Sequence, residues 1–242
     1  MTKRKTKNTG PFRGEEKITL NSLELTAKQK KILQTSLSEN SKIMFVSGPA
    51  GSSKTYISVY SALRLLAQNN DLELLYVRTI IESAEKGLGA LPGDLNEKFN
   101  PYMLPLEDKL YEILPKNTTL KHSLFDKGRI EAMPINFLRG ANWKNKIVIM
   151  DEAQNATFKE LTTLITRLGE NSKLFICGDY MQSDINGKSG FVDMMNLFDD
   201  EKSKEKGIHC IKFNQRDIKR SEILKYIISK LEIKNNEAGR SN

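Results

Sequence analysis

Two short stretches carry residue types that act together only around a polyphosphate. The first is Gly48-Pro49-Ala50-Gly51-Ser52-Ser53-Lys54-Thr55. The second, Lys146 to Gln154, is an apolar run that ends in Asp151-Glu152. A glycine-rich loop offers backbone N–H groups to phosphate oxygens, and its lysine reaches the β/γ-phosphates. A hydroxyl and an acidic side chain then hold Mg²⁺ between them. Residues Gly48 to Thr55 are therefore expected to bind nucleotide, with Lys54 also catalytic. Thr55 and Asp151 are the expected metal ligands. Glu152, one position beyond, is placed to take a proton from an attacking water. The cofactors implied are ATP and Mg²⁺. Paired acids also cap helices, and Ala156-Thr157-Phe158-Lys159 does open one; the position at a strand end favours the catalytic reading.

Ser53 stands where such loops usually carry a second glycine. Glycine suits that position because the backbone approaches the phosphates closely, sometimes with φ > 0. Serine is the mildest replacement and is expected to lower affinity, which keeps open a nucleotide-gated scaffold that hydrolyses poorly.

The elements that must position these residues follow from apolar runs and helical spacing. Strands are expected at 42–47, 74–77, around 130–133, at 146–150, 174–177 and 208–213. Helices are expected at 56–68, 95–113, 157–168 and 218–231, with another opening at Thr26-Ala27-Lys28-Gln29. Alternating strand and helix predicts a parallel sheet covered on both faces. Ligands of such sheets sit beyond the carboxyl ends of the strands, and each candidate residue follows directly after a strand. The stretch 79–105 is rich in helix breakers up to Asp94, which can cap a helix at Leu95. Loops that long are commonly functional.

The chain has 242 residues, 38% of them hydrophobic, enough for one large α/β domain. We divide it into a flexible basic arm (1–20), a single domain (21–233) and a flexible tail (234–242). No apolar run approaches a membrane span, and no apolar stretch follows Met1-Thr2-Lys3-Arg4-Lys5 as a secretory signal would require. Only Cys177 and Cys210 are present, without a C-x-x-C pair, which fits a reducing cytoplasm and argues against a zinc site. Net charge is +8. Residues 1–17 hold six Lys/Arg against two Glu, and residues 201–242 hold eleven against six acids, so the middle is close to neutral. Basic ends suit contacts with nucleic-acid phosphates.

Taken in order, the motifs resemble those of the PhoH-like (phosphate-starvation-inducible) ATPases, relatives of superfamily 1 helicases. Asp151-Glu152-Ala153-Gln154-Asn155 is similar to that family's acidic signature. Arg78 with Glu85 to Asp94 resembles its distinctive loop, and Pro134 to Gly140, with Arg139, resembles the segment before its acidic strand. Gly178-Asp179 with Gln182 and Asp184 resembles a third helicase-like motif, and Asp217 to Arg220 an arginine-bearing C-terminal one. The match covers about residues 24–231, and the length resembles a short, phage-type member. The resemblance implies a RecA-like P-loop NTPase in which Gln182 senses the γ-phosphate and Gln29 reads adenine. Arg220, or failing that Arg139, would face the transferring phosphoryl group. A single RecA-like domain cannot close on its own nucleotide, so a homo-oligomer is implied, by analogy a hexameric ring with the arginine donated by a neighbour. The implied partner is single-stranded nucleic acid, RNA before DNA, contacted through Arg78, Lys86 and Arg139; Phe99, Tyr102 and Trp143 are stacking candidates, although core packing is the stronger reading of each. The rival is a nucleoside kinase of the thymidine type, which also combines a phosphate loop with Asp-Glu-Ala-Gln, although its cysteine-rich zinc lasso is missing.

Overall fold

The computed structural model describes residues 17–79, 95–116, 119–138, 142–180, 182, 185 and 188–218, together with Ile223, Tyr226, Ile227 and Lys230; for 95–102 only the backbone is described. Six short apolar runs form strands: Ile43–Ser47 (β1), Glu73–Arg78 (β2), Ile130–Pro134 (β3), Lys146–Asp151 (β4), Lys173–Gly178 (β5) and Ile208–Lys212 (β6). They pair in the order β3-β2-β4-β5-β1-β6, every neighbour parallel. Central strands of such a sheet are buried on both faces and so read as continuous apolar runs, not as alternating ones. That is why Ile43-Met44-Phe45-Val46 and Ile147-Val148-Ile149-Met150 are apolar throughout.

The pleat sends successive side chains of each strand into two separate cores. Met44, Val46, Leu74, Tyr76, Ile147, Ile149 and Phe175 pack on one face against helices Ala27–Leu37 (α1), Lys54–Gln68 (α2), Leu95–Ile113 (α3) and Leu120–Asp126 (α4). Phe45, Leu75, Val77, Val148, Met150 and Ile176 face the other way, onto Phe158–Ile165 (α5) and Phe191–Leu197 (α6). A last short helix, Glu201–Glu205 (α7), precedes β6.

The expected strands fall within two residues of the observed ones. Helix α2 starts at Lys54, two residues before the apolar periodicity begins, because the end of the glycine-rich loop forms its first turn. Helix α5 stops at Ile165, three residues short of the expected end, where Thr166 caps it. Both α1 and α5 open with capping boxes, Thr26 with Gln29 and Thr157 with Glu160. One expectation needs revision. Ile18 is buried in the α2-side core, and the Asn21 amide donates to the carbonyls of Glu112 and Leu114 at 3.1 Å. Packing therefore begins inside the stretch assigned to a flexible arm. Trp143 is 3% exposed among Val148, Leu164 and their neighbours, a core residue, in agreement with the stronger of its two readings. Lys86, Arg139, Asp184 and Arg220, most of the 79–105 loop and most of the 218–231 helix lie outside the described residues.

Candidate nucleotide-binding site

A cavity of about 600 Å³ opens beyond the carboxyl ends of β1, β4 and β5. Ala50, Gly51, Ser53, Lys54 and Thr55 line one side, and Asp151 and Glu152 line the other. The register places them there. Ser47 pairs with Gly178, and Arg78 with Asp151, so the strand ends form one rim.

The loop from β1 to α2 turns sharply. Gly48 has no room for a side chain, since a Cβ would lie 2.5 Å from Phe213 Cβ. Gly51 has φ 83°, and Ser53 has φ 64° and ψ 27°, the left-handed region. Serine thus occupies the glycine conformation, as the sequence suggested, at a cost of about 1–2 kcal/mol. Ser52 Oγ donates to Pro49 O at 2.8 Å and ties the turn from within. Replacing Ser53 by Gly removes the strain but frees the unfolded chain by about 0.5–1 kcal/mol. The expected net effect is a stabilisation of about 0.5 kcal/mol, measured by thermal unfolding; a clear destabilisation would contradict it.

Lys54 heads α2 and folds back, donating from Nζ to Gly48 O at 2.7 Å and Pro49 O at 3.0 Å. An ammonium is thereby held at the mouth of a helix N-terminus, where anions are favoured. Thr55 Oγ1 donates to Asp151 Oδ1 at 2.7 Å, so a hydroxyl and a carboxylate from distant sequence positions meet. Two hard oxygens at this spacing fit Mg²⁺, which keeps several waters and is completed by phosphate oxygens. No cluster of three or more His, Cys, Asp or Glu able to hold a metal occurs among the described residues.

Other residues of the site carry no such motif. Tyr76, fully buried on β2, donates its hydroxyl to Asp151 Oδ2 at 2.6 Å. Burial first, and then the Asp151 charge, push its pKa well above the usual phenol value, so it stays a donor. Asp151 therefore has one oxygen fixed by Tyr76 and the other directed at Thr55. Replacing Tyr76 by Phe leaves a buried carboxylate oxygen without its donor. The expected loss is about 1–3 kcal/mol, read as a lower urea midpoint at unchanged slope.

Glu152 also sits in the left-handed region, at φ 53°. Its Oε1 accepts from Arg78 Nη2 at 3.4 Å and its Oε2 from Gln154 Nε2 at 2.5 Å. Gln154 is buried, and its carbonyl accepts from the Asp179 N–H at 2.9 Å, which links the end of β4 to the end of β5. Arg78, expected at nucleic acid, lines this cavity and pairs with the carboxylate. The signal for Gln154 was an amide two positions after the acid. Tyr76 had no such signal, because its contact depends on which strand lies beside β4.

Leu23, Leu25, Gln29, Tyr56 and Lys109 line the remaining recess of the same cavity. Lys109 Nζ lies 5.9 Å from the Tyr56 ring centroid and pairs with Glu112 at 2.6 Å. Gln29 is 2% exposed; its carbonyl caps α1 by accepting from Thr26 N–H at 3.0 Å, and its side chain borders the recess. Gln182 is exposed and does not line the cavity; its N–H donates to Asp179 O at 3.4 Å. Cys177, behind the site against Ser58 Oγ at 3.1 Å, has its thiol pushed up to about 12 by burial and is inert.

A phosphate-type loop between β1 and α2, facing an acid pair at the end of β4 on an all-parallel sheet, defines a RecA-like P-loop nucleotide-binding protein. Comparison with known proteins is more specific, and the chain belongs to the PhoH-like family, whose profile, "PhoH-like protein", matches residues 23–232. It is 35% identical over 222 residues to the PhoH-like protein of Bacillus subtilis, covering 88% of this chain and 66% of that one. Against the PhoH-like protein of Synechocystis it is 35% identical over 192 residues, covering 78% and 56%. The chain thus spans between about half and two-thirds of these relatives' length. Among solved structures, the large terminase of a thermophilic bacteriophage shares the fold, with a TM-score of 0.51 at 14% identity over 83% of this chain and 48% of that one. No helix among the described residues is long and apolar enough to cross a membrane.

Proposed function

We propose that this protein hydrolyses ATP with Mg²⁺ and couples turnover to single-stranded nucleic acid, RNA before DNA. One observation carries the reading: Lys54, Thr55, Asp151 and Glu152, about a hundred residues apart in sequence, border one cavity. The loop N–H groups and Lys54 bind the β/γ-phosphates, Lys54 leaving the Gly48 and Pro49 carbonyls to do so. Thr55 and Asp151 would hold Mg²⁺, which would supply charge neutralisation for the phosphates. Glu152 orients a water and takes its proton, its carboxylate fixed in aim by Gln154. The adenine enters the recess of Leu23, Leu25 and Tyr56, and the Gln29 amide reads its edge. A carbonyl has two lone pairs, so the α1 cap leaves one to accept from adenine N6.

Gln182 senses the γ-phosphate by moving in from its exposed position. Arg220, with Arg139 as second candidate, comes from a neighbouring subunit of a ring, by analogy hexameric. Mixing Arg220→Ala subunits with Lys54→Ala subunits should restore part of the ATPase activity that each lacks; a mixture as inactive as its components removes donation between subunits. The overall test is phosphate release measured with single-stranded RNA, single-stranded DNA and duplex at two salt concentrations, beside a thymidine phosphorylation assay. Stimulation that falls with salt supports the reading. Phosphorylated thymidine would move the protein to the kinase class.

A further inference from the structure

A second hollow lies at the same edge of the sheet, lined by residues that follow β2, β3 and β4. Two compartments of about 400 and 340 Å³ share Ile135, Asn136, Thr157 and Glu160 and so form one groove. One wall is the 3-10 turn Ile135–Phe137 that follows β3, and the other is the start of α5. Thr79 borders it, 6% exposed, and its hydroxyl has no hydrogen-bond partner among the described residues. Buried hydroxyls are almost always paired, so one left over beside a hollow points to an occupant that pairs with it.

The rest of the lining says what kind of occupant. Glu160 Oε2 accepts from both the N–H and the hydroxyl of Thr157 at 2.8 Å, which spends on the helix cap the one acid that lines the groove among the described residues. Lys188 and Lys159 are exposed, each lining a different compartment. Phe137 and Phe158 are 54% and 43% exposed, and each is flanked in sequence by groove-lining residues, Asn136 and Leu138 in one case, Thr157 and Lys159 in the other. Cations along a groove whose two walls each carry an exposed ring suit unpaired nucleotides, since phosphates need charge and splayed bases need stacking faces.

We infer that this groove is the docking site for single-stranded nucleic acid, with bases against Phe137 and Phe158 and phosphates at Lys159 and Lys188. The inference rests on the nucleic-acid reading above but places the contact elsewhere than Arg78, Lys86 and Arg139. It also gives the contact a route to the nucleotide site. Thr79 directly follows Arg78, and Asn155, in the same groove, directly follows Gln154. These neighbours are the two residues that hold the Glu152 carboxylate.

The test is fluorescence anisotropy of a labelled single-stranded RNA 12-mer without nucleotide, with a labelled poly-glutamate peptide beside it. The Phe137→Ala/Phe158→Ala pair should weaken RNA binding about tenfold or more. The Lys159→Ala/Lys188→Ala pair should reduce the slope of log affinity against log salt by about two. All four residues are exposed, so melting temperature and ATP binding should hold. Thr79→Val, which keeps the shape without the hydroxyl, should weaken RNA binding while raising the melting temperature, a crossing that a merely structural residue would not give. If wild type binds RNA and the phenylalanine pair binds it equally well, the groove assignment is wrong while the nucleic-acid reading stands. If wild type does not bind RNA at all, both fall. If the peptide binds as tightly as RNA and is indifferent to the phenylalanines, the groove belongs to an acidic protein partner and the inference is overturned.

Discussion

Replacing Glu152 by Gln should lower ATP turnover about a thousandfold, within the range of about 10²–10⁴ that a positioned general base contributes. Nucleotide binding should persist, because Lys54 and the Thr55–Asp151 pair are untouched. The amide keeps the size of the carboxylate and can still accept from Arg78 or Gln154, so the loss reports proton acceptance rather than collapse of the site. The Glu152 side chain is 40% exposed, open enough for a water to reach it. Single-turnover phosphate release, beside titration with a fluorescent ATP analogue, separates the two quantities. Turnover within tenfold of wild type would show that another group takes the proton.

Lys54→Ala should affect the other quantity. Hydrogen bonds to charged groups contribute about 1.5–3 kcal/mol each, so loss of the ammonium should weaken ATP binding by about 10- to 100-fold. The fold should be unaffected, because the two carbonyls that Lys54 meets, Gly48 O and Pro49 O, belong to the loop itself and water can replace it there. Ligand-induced stabilisation reads this directly. At a ligand concentration near 100 times the dissociation constant, wild type gains about 2.7 kcal/mol. The variant at the same concentration should gain only about 0.4–1.4 kcal/mol. An equal thermal shift in both proteins would mean that the lysine does not touch the phosphates.

What the sequence made legible follows from the sheet being parallel. Strands buried on both faces announce themselves as apolar runs, so β1, β2, β4 and β5 were readable without any knowledge of their order. Function at such strand ends is local to the strand, which is why Lys54, Asp151 and Glu152 could be paired in advance. The contacts that escaped all depend on which strands are neighbours. Tyr76 reads as one more core aromatic until β2 is known to lie against β4. Arg78 reads as a free cation until the same pairing sets it beside Asp151 and brings Glu152 within reach. Gln29 illustrates a different limit. Its place near adenine was expected only from the family resemblance; what sets its cap at the border of the cavity is the packing of α1 on α2. The groove under α5 was invisible because its parts come from four separate segments and share no motif.

Tyr76 and Arg78 are two residues apart, on the same side of β2, and each grips a different acid of the adjacent chain end. A slide of β2 along its neighbour would disturb the Asp151 and the Glu152 contacts in the same stroke. Both carboxylates are thereby tied to one strand, two residues apart along it.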